Sequence, residues 1–291
     1  MSDILYSTGE LDVLQYYSKF FKVLKNFLYR KKIASKVHLS NLFFLKRGSN
    51  SPALYIDDFS EVDSKMLKLR TGNHLKDVES KLTPKQRLIW EYFPPRKLSQ
   101  LFYATNDEGI GKPIERIFID IDRKKNSADD ARKVALFLLR CIQDDREFNN
   151  LVDVKKIVIL WTGASFHIYI LLKKEIELKF YNKYLSYGSE KKREFSFIMK
   201  WAKIISDKTD IPVLGGHEKT EKNIVLDSSN TPSGKLARSP FSLHIKDWQN
   251  WDGVCVPVSA ESLSNKNLVS ELEKLTPDLV LKNLDFYKSL L

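Results

Sequence analysis

Apolar and polar positions alternate most sharply at residues 116–122 (RIFIDID), where the period is two and β-branched and aromatic residues dominate. That pattern predicts a strand with Asp120 and Asp122 on one face and Ile117, Ile119 and Ile121 on the other. Residues 156–161 (KIVILW) predict a buried strand, Thr162-Gly163-Ala164 a tight turn, and residues 165–170 a second strand. In that second strand Ser165, His167 and Tyr169 share one face, while Phe166, Ile168 and Ile170 share the other. Residues 224–227 (IVLD) read as a short strand that ends on a third carboxylate, Asp227, before a Ser/Asn/Pro/Gly loop.

Helical spacing governs other stretches. Residues 11–33 carry Leu14, Tyr17, Phe21, Leu24 and Leu28 on one stripe and six lysines and arginines around it, which predicts an amphipathic helix with a basic face. Residues 41–48 predict a strand ending in a basic turn, with Lys46 and Arg47 at its tip and residues 53–56 as its hairpin partner. Residues 57–100 are polar and mostly helical, with a break at Pro94-Pro95. Ser127 is placed to cap a helix over 131–142, and Asp129 and Asp130 in its first turn suit the helix dipole. Asp144 and Asp145 fall beyond that helix in a polar run and are not assigned to chemistry. Residues 180–208 read as helix up to an Asp210-Ile211-Pro212 turn, 238–246 as extended, and 263–291 as an amphipathic helical tail.

Charge sharpens the picture. The 291 residues carry a formal net charge of +11, which favours a polyanionic partner, most simply nucleic acid. Hydrophobic residues make up 43%, enough for an ordinary core, and no apolar run approaches a membrane span. The first residues lack the basic-then-apolar pattern of a signal peptide, so the expectation is a cytoplasmic, nucleoid-associated protein. Two cysteines, Cys141 and Cys255, exclude a Cys-rich zinc module, so no structural zinc is expected, and Cys141 reads as buried.

The candidate chemistry lies on the strands. Two carboxylates at i and i+2 repel unless a divalent cation lies between them or solvent screens them; such oxygen-rich pairs suit Mg²⁺ or Mn²⁺. The plainer alternative is a solvated strand end neutralised by Arg123, Lys124 and Lys125. Ser165 and His167 form a second i, i+2 polar pair beside a glycine turn, able to offer a hydroxyl and an imidazole to an anionic group. Residues 238–246 (RSPFSLHIK) space a guanidinium, an imidazole and an ammonium along one segment, and Arg and Lys both grip phosphate oxygens.

Taken in order, Asp120-Ile-Asp122, Ser165-Phe-His167 and Leu226-Asp227 followed by RSPFSLHIK resemble the archaeo-eukaryotic primase superfamily. RSPFSLHIK is similar to the Arg-Leu-Pro-Gly-Ser-Leu-His-Gly-Lys stretch of small, catalytic primase subunits. The Tyr16-Tyr17 segment, the Phe43–Arg47 segment and Gly253-Val-Cys-Val-Pro-Val-Ser259 are similar to the polymerase domains of bacterial DNA-repair ligases. The resemblance covers residues 11–263 and leaves both branches open.

It implies an α/β (α+β) fold whose RNA-recognition-motif-like sheet, mixed or antiparallel, is flanked by helices. It implies that Asp120, Asp122 and Asp227 bind two divalent ions, and that Ser165 and His167 hold the phosphates of an incoming NTP or dNTP. Arg238, His244 and Lys246 would contact the triphosphate or the template-primer backbone. The expected activity is template-dependent nucleotidyl transfer on single-stranded DNA or a primer-template, as a DNA primase or primase-polymerase. A large primase subunit or a helicase is the expected protein partner. The chain departs from many small primase subunits in lacking the Cys/His cluster of a zinc insertion. A metal-dependent nuclease or phosphodiesterase and a non-catalytic nucleic-acid-binding subunit are the alternatives. A single catalytic domain over 1–291 is expected, with a basic helix at 1–40, a core at 41–258 and a helical tail at 259–291.

Overall fold

The structure, a computed structural model, describes residues 4–40, 42–48, 52–107, 112–186, 196–217 and 221–291. The chain forms two compact units, one built from Met1–Ala104, Arg238–Val256 and Leu275–Ser289, the other from Thr105–Ala237, Pro257–Lys274 and Leu290–Leu291. Among the described residues no helix is long and apolar enough to cross a membrane.

The first unit is organised on β1 (Lys32–His38). β2 (Phe43–Arg47) and β3 (Leu54–Tyr55) both pair antiparallel with β1, and β4 (Ser99–Ala104) pairs antiparallel with its other edge. The expected helix over 11–33 is therefore corrected. The helical spacing yields only two short helices, Val13–Ser18 and Phe21–Leu24, and the chain then turns into β1. Arg30 takes a left-handed conformation (φ 58°), which ends helical geometry, and β-branched Ile33 and Val37 favour the strand. The expected hairpin is corrected as well: β2 pairs with β1 upstream of it and not with the 53–56 segment. The loop between them falls partly outside the described residues, as does Asn41.

Aromatic side chains fill this unit's core. The Tyr17 hydroxyl donates to the Ser99 carbonyl (2.7 Å) and accepts from the Leu243 amide (3.1 Å), tying helix, strand and later loop together. Phe20 stacks on Phe241 at 4.4 Å. Residues 238–246 are less extended than expected: Arg238 ends a short strand (Leu236–Arg238), Phe241 is left-handed (φ 65°), and Leu243–His244 pairs with Gly253–Val254.

The second unit carries the acid motifs. Five strands of a six-stranded sheet run in the order β6 (Val154–Trp161), β7 (Phe166–Ile176), β5 (Ile114–Asp122), β9 (Ile224–Asp227), β8 (Val213–Gly215). Among these five, all pairs are antiparallel except β8 with β9, which makes the sheet mixed. The expected α/β class with a mixed sheet and helices is found. Ser127 caps the Ala128–Asp144 helix, its hydroxyl accepting from the Asp130 amide at 3.0 Å. That helix buries Ala131, Val134, Ala135, Leu138 and Ile142, an i, i+3, i+4 stripe, and packs on β5 and β7.

The Phe197–Thr209 helix lies against β8, where Gly215 is needed: a Cβ there would come within 2.9 Å of the Met199 backbone. The middle of the helical stretch expected at 180–208 lies outside the described residues. Cys141, expected to be buried, is half-exposed; Cys255 is the buried thiol, and burial pushes it up to about 12.

One side chain welds β5 to the loops around it. Asn106 is fully buried; its amide nitrogen donates to the carbonyls of Arg116 (2.9 Å) and Thr231 (2.6 Å), and its oxygen accepts from the amides of Glu115 (2.9 Å) and Arg116 (3.1 Å). The Thr231 hydroxyl meanwhile exchanges hydrogen bonds with the Phe118 backbone, donating to its carbonyl and accepting from its amide, both at 3.0 Å. Thr231 thereby continues the β5 edge where β9 has ended.

Candidate active site

Strand register brings the sequence motifs together. Asp120 stands directly opposite Asp227 on one side and directly opposite His167 on the other. Direct cross-strand partners share a face with Cβ atoms about 4.5–5.5 Å apart. Asp122, two residues on, lies on that same face one row away, about 7 Å along the strand. The three carboxylates and the imidazole thus occupy one end of one sheet face. One row along the same face, Phe118 and Tyr169 pair across the strands at 5.0 Å, and the His167 ring packs edge-on against Phe118 at 4.9 Å. The aromatic contact fixes the imidazole.

Each carboxylate holds a partner from the chain. Asp120 Oδ1 lies 3.3 Å from His167 Nε2, and His167 Nδ1 has no hydrogen-bond partner. Asp122 accepts from the Lys124 backbone amide (3.2 Å) and pairs with the Lys124 ammonium. Asp227 accepts from the Ser229 amide (2.7 Å) and meets His217 Nδ1 at 2.8 Å. Among the described residues no three acidic, histidine or cysteine side chains converge on one point. The backbone gathers the acids while their side chains face local cationic or ring partners.

Ser165 forms the turn. Its amide donates to Thr162 Oγ1 (3.0 Å), Thr162 N donates to its carbonyl (2.8 Å), and Gly163 supplies the positive φ of 94° that an L side chain resists. The Ser165 hydroxyl donates to the Ile121 carbonyl, so it presents lone pairs rather than a free proton.

Arg238, His244 and Lys246 belong to the first unit. There Arg238 Nη1 donates to the Leu243 carbonyl (3.1 Å), and its guanidinium lies 5.6 Å from the Phe102 ring. The Gln100 amide is best satisfied with its oxygen accepting from Arg238 Nη1 (2.9 Å) and its nitrogen donating to His38 Nε2 (3.2 Å). Lys36, directly opposite Gln100, sits 3.9 Å from the Phe43 ring centre. Burial first, and then repulsion from Arg238, lowers the Lys36 ammonium below its ordinary range. Such crowding of cations is relieved by an anion. His244 is half-buried, and Lys246 is exposed, its backbone amide donating to Asp252 (2.7 Å).

Lys124 pairs with Asp122 as the solvated-end alternative expects, whereas Lys36, His38, Gln100 and His217 do not emerge from the sequence reading. Lys36 and His38 carry the same i, i+2 polar alternation as the acid strand; ending the first helix earlier exposes it. His217 carries no such signal. The Gly216 amide donates to the Leu226 carbonyl (3.0 Å), and that bond delivers His217 to Asp227.

Burial lowers the His38 imidazole below its ordinary value. The unfolded chain therefore binds a proton that the folded one refuses, so this group makes stability fall as pH drops through the unfolded value of about 6.5. Urea unfolding at about pH 7.5 and 5.5 should show this loss, and His38→Gln should remove part of it.

No protein-family profile matches the chain, and no curated protein matches it in sequence. Among solved structures it is similar to the polymerase domain of Mycobacterium tuberculosis Ligase D in complex with DNA, with a TM-score of 0.60. The chain shares the fold of that polymerase domain. The match covers 99% of this chain and 96% of that one at 14% identity, so the similarity is one of fold.

Proposed function

We propose that this chain is a template-dependent nucleotidyltransferase, a primase or primase-polymerase, in which Asp120, Asp122 and Asp227 hold two Mg²⁺ or Mn²⁺ ions. The observation that carries this reading is the strand register: Asp120 faces Asp227 directly, with Asp122 on the same face, in a chain with a primase-polymerase fold. Three carboxylates on one face are a hard-oxygen donor set that fits such cations. Lys124 and His217 now pair with two of the acids from outside the strands, and bound cations would take their place. When bound, the ions supply activation of a 3′-hydroxyl and neutralise charge on the departing pyrophosphate.

The remaining residues position and grip. His167, held edge-on by Phe118, offers a ring nitrogen to a nucleotide phosphate, and Ser165 braces the turn beside it. Arg238, His244, Lys246 and Lys36 are proposed to hold phosphates of the nucleotide or of the DNA backbone, with salt-dependent affinity. Phosphoryl transfer is mainly positioning and charge neutralisation, which is what these groups provide.

Purified protein, single-stranded template, Mg²⁺ or Mn²⁺ and labelled ribo- or deoxynucleotides test the reading, with and without an annealed primer. Labelled product is expected on the primed template, and product without primer assigns priming. Shortening of labelled DNA with no incorporation in any lane would replace the proposal by a nuclease.

A further inference from the structure

A second cavity in the first unit is lined by none of the residues assigned above. A cavity of about 350 Å³ is lined by Arg70, Asn73, His74, Trp90, Arg96 and Lys97, with Pro94-Pro95 and the Gly72 turn completing its wall. All three charged residues in that lining are cations.

Arg70 is the informative one. It is 1% exposed, and only part of its guanidinium is matched: Nη2 pairs with Asp12 Oδ1 at 3.1 Å and Nε reaches Asp12 Oδ2 at 3.4 Å. Asp12 is itself shared, since Oδ1 also accepts from the Leu14 amide (3.0 Å) as the cap of the first helix. The Trp90 ring covers the guanidinium at 5.3 Å. Nη1 is buried and has no hydrogen-bond partner among the described residues. Buried guanidinium donors are rarely left unmatched, because an unmade hydrogen bond there costs the full desolvation of the group.

Arg96 and Lys97 add two exposed cations to the rim. Arg96 Nε also lies 3.4 Å from Glu10 Oε2, but both side chains are exposed, and such pairs bind weakly in water. Asn73 and His74 bring further polar side chains to the lining. No carboxylate lines the cavity.

We propose that this cavity binds a phosphate-sized oxyanion, with Arg70 at its base and Arg96 and Lys97 closing over it. The volume accommodates a phosphoryl group together with part of what carries it. Arginine's forked donors suit a tetrahedral oxyanion, and Lys97 contributes a point charge. The anion comes either from free phosphate or from a nucleic-acid phosphate; the recognising chemistry is the same.

The test is calorimetric titration of the full chain with inorganic phosphate at fixed ionic strength, with chloride as the control. One saturable site is expected. It should weaken at least about tenfold in both Lys97→Gln and Arg96→Asn, since a charge-assisted hydrogen bond is lost in each. Both positions are exposed, and asparagine accepts the left-handed backbone of Arg96 (φ 54°), so both variants keep the fold. Arg70→Lys keeps the charge and deletes Nη1, and should weaken binding comparably; if it fails to fold, the two rim variants decide. A single-stranded oligonucleotide that displaces phosphate assigns the site to nucleic acid, and one that leaves it bound assigns it to free phosphate. No saturable binding, or binding unchanged in both rim variants, overturns the proposal.

Discussion

The Asp120→Asn protein folds normally and incorporates nucleotide on the order of 10³-fold more slowly than the parent chain. That factor corresponds to about 4 kcal/mol of transition-state stabilisation, within what one ligand to a bound metal supplies. Asp120 is chosen because it sits at the centre of the row, opposite Asp227 and His167 at once. Asparagine keeps its shape and removes only the charge. The side chain is about one-third exposed and its partner is His167 at 3.3 Å, so folding loses little. Thermal unfolding and DNA binding should stay close to those of the parent, while Mn²⁺ binding followed by paramagnetic resonance should weaken. Near-parental synthesis by Asp120→Asn would remove these acids from the chemistry.

Asn106→Ala destabilises the second unit by about 3–4 kcal/mol, a large effect for one residue. Four hydrogen bonds disappear, and the carbonyls of Arg116 and Thr231 and the amides of Glu115 and Arg116 lose this partner in a largely buried site. Unmatched buried groups cost about 1–3 kcal/mol each, partly recovered by relaxation. The urea midpoint should fall at nearly unchanged slope, and amide exchange along β5 should accelerate most. A shift smaller than about 1 kcal/mol would mean that water or a neighbour replaces the amide without cost.

The acid strand, the His167 strand and the Asp227 strand were legible because each alternates with period two beside a turn, and the structure places all three side by side. Their order in the sheet was not legible: nothing within residues 116–122 says that β7 and β9 flank β5. β1 was missed because Leu14, Tyr17, Phe21, Leu24 and Leu28 keep helical spacing almost to its start. The break comes from the left-handed backbone at Arg30, which residue type alone does not announce. With β1 hidden, β2 was given the wrong partner, and Lys36 and His38 were not seen beside Arg238. His217 was invisible for another reason: a solvent-facing histidine reaches Asp227 only through the β8–β9 pairing.

The row of acids, and the function built on it, stand or fall on one measurement: incorporation of a single labelled nucleotide opposite a defined template base, with Mn²⁺ or Mg²⁺. The parent chain is predicted to add only the nucleotide complementary to that base, and Asp120→Asn to add it about 10³-fold more slowly. Incorporation that ignores the template base, equal incorporation by the variant, or none by the intact chain with either metal would contradict it.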